Sequence, residues 1–124
     1  MSKKIGFIVA AALALGVAPA LAQGATCVEP VVPAMVDGAT VAQAELVKTI
    51  GLVKDFIAKS DVYQKCVADD LEAKKAAATA ASTPFDPAIQ QVALAKVAAN
   101  QQAKDKAAAD INAQIAVFKA KAAK

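Results

Sequence analysis

Two stretches of the chain repeat their apolar residues at alternating intervals of three and four. The first stripe runs Leu46, Ile50, Val53, Ile57, Ser60, Gln64, Val67, Leu71, and the second Val97, Gln101, Lys104, Ala108, Ile111, Ile115, Phe118, Ala122. Such spacing keeps one helical face turned toward a partner, as in the heptad seam of a coiled coil. Folding the chain back at residues 80–86 aligns both stripes in one antiparallel register. Leu46 then faces Ala122, Ile50 faces Phe118, Val53 faces Ile115 and Ile57 faces Ile111. Further along, Ser60 faces Ala108, Gln64 faces Lys104, Val67 faces Gln101 and Leu71 faces Val97, so that every pair of numbers totals 168. The expected fold class is all-α: an antiparallel, coiled-coil-like two-helix hairpin, each helix roughly 55–60 Å long at about 1.5 Å per residue.

Signals at the helix ends set the boundaries. Asp37-Gly38 marks a turn, after which Thr40 reads as an N-cap and Gln43 completes a capping box. Only Gly51 interrupts the helix-forming residues of 41–80, where the pairs Asp55/Lys59, Asp61/Lys65 and Asp70/Lys74 place the acid four residues before the base. Ser82-Thr83-Pro84-Phe85 breaks the helix. Asp86 then caps a second helix with Pro87 in its first position, and Lys119 and Lys121 suit the negative end of its dipole near residue 122.

Ahead of the hairpin, residues 23–39 read as an extended arm, because Pro30 and Pro33 sit among valines and cannot propagate a helix. Residues 1–22 have the form of a secretory signal. Lys3 and Lys4 precede an apolar run from Ile5 to Val17, and Ala20-Leu21-Ala22 offers small residues for cleavage before Gln23. The run falls short of the roughly 20 residues a membrane span needs, so cleavage is preferred over retention as an anchor. The destination is then the periplasm or the exterior of a bacterium. In an oxidising compartment Cys27 and Cys66 are expected to pair, within the chain or between chains, with free thiols the remaining option. An extended arm of thirteen residues reaches about 40–43 Å, and Cys66 lies about 39 Å along the helix from Thr40, so an arm doubling back just meets it.

Composition removes much chemistry from consideration. Hydrophobic residues make up 57% and aromatic residues 4%, and histidine is absent. Without it there is no Ser-His or Cys-His couple, and two cysteines alone make a poor zinc site. Ser60 and Ser82 lie on no nucleophile elbow, no glycine-rich phosphate loop is present, and the Asp69, Asp70, Glu72 cluster lacks a calcium-loop glycine. No catalytic residue, metal or cofactor is expected. The net charge of +3 falls to +1 once Lys3 and Lys4 leave with the leader, so the lysine-rich C-terminus is not read as a nucleic-acid tail. A membrane surface is likewise not expected, because Ile111, Ile115 and Phe118 are claimed by the seam. Gln64, Gln101 and Lys104 form a polar patch in the middle of that seam. They read as a register-fixing layer or, alternatively, as a small ligand or partner site.

The pattern Cys27-x-x-Pro30-x-x-Pro33, Asp37-Gly38-Ala39-Thr40, Tyr63-x-x-Cys66 resembles that of a group of small exported proteobacterial proteins of unknown function. The resemblance covers residues 27–66, implies export and Cys27–Cys66 pairing, and brings no activity with it. The resulting expectation is a non-enzymatic structural or protein-interaction module of the cell envelope that acts through a protein partner or self-association. The alternative is a carrier or holdase that takes apolar ligands or unfolded protein between arm and hairpin.

Overall fold

A computed structural model describes residues 26–124; the expected leader and its cleavage site lie outside them. The described residues form an arm followed by two helices, α1 (Gln43–Ala80) and α2 (Pro87–Ala122), packed against each other as an antiparallel hairpin. Cys27 is disulfide-bonded to Cys66 with their Cα atoms 5.7 Å apart. The arm therefore runs antiparallel to α1 and is pinned to its middle.

Asp37 organises the turn that joins arm to helix. Its carbonyl accepts from Thr40 N and Val41 N at 3.2 and 2.9 Å, and its Oδ1 accepts from Ala39 N at 2.9 Å. The Thr40 hydroxyl is drawn into the same turn, 3.4 Å from Asp37 Oδ2, and so does not serve as the expected N-cap. α1 begins at Gln43, with extended Ala42 before it and no side-chain cap. The start of α2 follows expectation: Asp86 Oδ1 accepts from Ala88 N at 2.9 Å, and Pro87 opens the helix.

α1 stops in a Schellman motif. Thr83 N donates to Ala78 O and Ser82 N to Thr79 O, both at 3.0 Å, with Ser82 in the left-handed region at φ 53°. Residues 83–86 then run without helical structure before α2 starts. This descent shifts the register. Gln64 bonds to Asn100 and Gln101 rather than facing Lys104, and Asn100 also bonds to Ser60. α2 is thus displaced by about one turn or more from the pairing totalling 168, which rests on matching the two stripes alone.

Leu46, Val53, Phe56, Ala107 and Ile111 form the core, with Met35, Val36 and Val41 packed against them alongside Ile50, Ile57, Ile115 and Phe118. Along α1 the buried side chains are Leu46, Thr49, Val53, Phe56, Ser60, Tyr63, Val67 and Leu71. Ile50, Ile57 and Gln64 are only half-buried. The buried stripe is therefore turned one position toward Thr49, Phe56 and Tyr63, the side on which the arm lies. A third layer shields that side from water in addition to the partner helix.

Gly38 completes the three-layered end. Its N–H donates to Gln114 Oε1 at 2.7 Å, and a Cβ there would stand 2.1 Å from the Gln114 carbonyl oxygen. Only a residue without a side chain lets the arm press backbone to backbone on α2.

Candidate interaction surface around the disulfide

The polar seam patch is one connected layer. Gln64 Nε2 donates to Asn100 Oδ1 at 2.9 Å and to Gln101 Oε1 at 3.2 Å, and Asn100 Nδ2 donates to Ser60 Oγ at 3.3 Å. Asn100 and Ser60 are fully buried. Lys104 joins from the side, paired with Asp61, its ammonium turned out of the seam along a largely covered stem. Asp61 is thereby diverted from Lys65, which pairs with Asp69 instead, whereas Asp55/Lys59 and Asp70/Lys74 form as expected at 2.7 Å. The layer satisfies its own donors and acceptors. It ties Ser60 and Gln64 of α1 to Asn100 and Gln101 of α2.

Asn100 was not legible as part of this layer, because the apolar stripe assigned its turn to Gln101. The signal was nevertheless present, since Asn100 lies one heptad before Ala107 and eleven residues before Ile111, both buried.

The disulfide sits between two depressions. Beside the arm, one is lined by Val28, Pro30, Lys59, Val62, Tyr63 and the two cysteines, and is almost wholly apolar. Tyr63 is buried there, and loss of hydration followed by the charge of Glu29 raises its pKa above the ordinary phenol value.

The second depression, of about 500 Å³, begins at Thr26 and Cys27, where the interhelical groove is covered by no further part of the arm among the described residues. Its apolar walls are Val67 and Leu71 of α1 and Ile89 and Val92 of α2, and Lys74 and Lys96 are among its polar lining residues. Asp70 also lines it. One carboxylate oxygen pairs with Lys74, and the other, Oδ1, is buried without a hydrogen-bond partner among the described residues.

Around these depressions large apolar side chains face outward: Val28 and Val31 are 78% and 88% exposed, and Val62 and Val92 70% and 56%. No group of acidic or cysteine side chains suited to a metal occurs among the described residues, and no helix among them is long and apolar enough to cross a membrane. No family model, no curated protein and no solved structure matches this chain.

Proposed function

We propose that this protein is a non-enzymatic, exported interaction module of the bacterial cell envelope. The supporting observation is the row of exposed valines flanking a disulfide-pinned arm on a narrow hairpin. Apolar side chains gathered on so small a body are more stable when a partner covers them. The disulfide is consistent with an oxidising, exported location.

Cross-linking in intact cells, with mass-spectrometric identification of the joined peptides, tests the reading. One recurrent envelope protein, or the chain itself, joined through residues 28–32 or 62 supports it. Absence of any cross-linked partner at those positions overturns it.

A second reading, a carrier or holdase, is favoured by the open groove of about 500 Å³. The apolar depression lined by Val28 and Pro30 of the arm and Val62 and Tyr63 of α1 lies where this reading expects its ligand, between arm and hairpin, and the groove past Cys27 adds a second space. A carrier takes up an apolar dye while folded and monomeric, whereas a structural module oligomerises with concentration and leaves the dye in water.

A further inference from the structure

We propose that the open part of the interhelical groove binds an extended apolar segment of a partner polypeptide, continuing the line of this chain's own arm. The inference deepens the interaction reading above and rests on it. The arm is an extended, Pro- and Val-containing strip whose Met35 and Val36 pack on both helices near their far ends. Past Cys27 the same helices carry on with apolar walls, and Thr26 at the edge is the last of the arm's described residues to line the groove. From Val67 to Lys74 the groove extends roughly 10 Å, about three residues of extended chain. With residues 1–22 removed, as the proposed export has it, Gln23-Gly24-Ala25 of the arm bring a single methyl group and one polar side chain, too little apolar volume for about 500 Å³.

An extended peptide also answers the polar lining. Its backbone carries N–H groups that need acceptors, and Asp70 Oδ1 is a buried acceptor with no donor among the described residues. A saturated hydrocarbon tail would fill the walls and leave that oxygen unsatisfied. The groove thus suits polypeptide better than lipid.

Fluorescence polarisation with two labelled nine-residue probes tests this on the disulfide-intact protein. One copies residues 28–36, and the other has serine at every valine and methionine. The expected result is saturable binding of the first probe only. Ile89→Lys and Val92→Lys should each weaken it by about tenfold, since an ammonium would have to enter the apolar wall. Asp70→Ala should weaken it several-fold, while Val117→Lys on the far part of α2 leaves it unchanged. Ile89, Val92 and Val117 are all partly exposed, so melting curves should show each of these variants folded.

Absence of saturable binding, or binding that ignores Val92→Lys, overturns the proposal. Binding of laurate without the peptide would make the occupant lipid-like. A dimer lost on Val92→Lys, with no peptide bound, would make it a second copy. Either result also overturns the proposal. Peptide binding in solution without any partner in cells would sink the envelope reading alone, and the converse would sink only this one.

Discussion

At the end of the hairpin away from its loop three layers meet, whereas at the loop end the described residues supply only two helices. The first region places Leu46, Val53 and Phe56 against Ala107 and Ile111 and closes them with Met35, Val36 and Val41. In the second, Val67 and Leu71 are buried on α1, but residues 87–99 of α2 contain no fully buried side chain, and Val92 and Leu94 are each 56% exposed. Both regions draw on the same helices, and α2 is equally regular in each. The difference is the arm. Alanine-rich helices bring little apolar area to a pairwise interface, so a single extended strand decides which part of the seam is dry.

That comparison is broken most severely by releasing the arm. Reduction, or Cys66→Ser, opens a closed loop spanning 39 positions and should cost about 4 kcal/mol on the chain-entropy estimate. For a domain of this size the melting temperature would fall by roughly 15–30 °C. Unchanged melting would mean that packing alone holds the arm. Paired truncations come next. Phe56→Ala in the three-layered region should cost about 3 kcal/mol, and Val92→Ala in the two-layered region about 0.5 or less, both measured by urea unfolding. Equal costs would erase the distinction between the regions.

Two glycines sharpen the contrast further. Gly38→Ala would force a methyl into the Gln114 carbonyl and should destabilise by about 2 kcal/mol. A Cβ at Gly51 meets nothing within 4 Å, so Gly51→Ala should raise stability by about 0.5–1 kcal/mol through helix propensity alone.

The smallest effect at neutral pH concerns Tyr63 beneath the arm. Its pKa is raised in the folded protein, so the stability it contributes is complete below the ordinary phenol value of about 10. That contribution is lost as pH climbs through the raised value. An alkaline melting series should show this loss, and Tyr63→Phe should remove it while leaving the neutral-pH melting temperature close to its original value.

Much of this architecture was legible in the sequence. Spacing by threes and fours identified both helices, Asp86-Pro87 fixed the start of α2, and the reach of the arm agreed with the Cys27–Cys66 bond. Register was not legible, because it depends on how far residues 83–86 travel before α2 begins, and side-chain periodicity does not report backbone descent. The rotation of the buried stripe toward Phe56 and Tyr63 was hidden for a related reason. A helical wheel locates the centre of an apolar face between two helices, and a third layer moves that centre sideways. The polar patch was half visible: Gln64 and Gln101 meet, while Asn100, its most buried member, went unread because a polar residue one step off the stripe passes for a solvated one. The groove past Cys27 had no sequence signal at all.

The hydrogen bond from Gly38 to Gln114 joins positions 76 apart. A bare hairpin could assemble outward from its loop through neighbours in sequence, quickly and as each part of the chain became available. Here the start of the described chain must wait for a turn near the other terminus before the core can close, and contacts of such separation slow folding. On the export proposed above, that delay keeps the chain threadable until almost all of it has emerged.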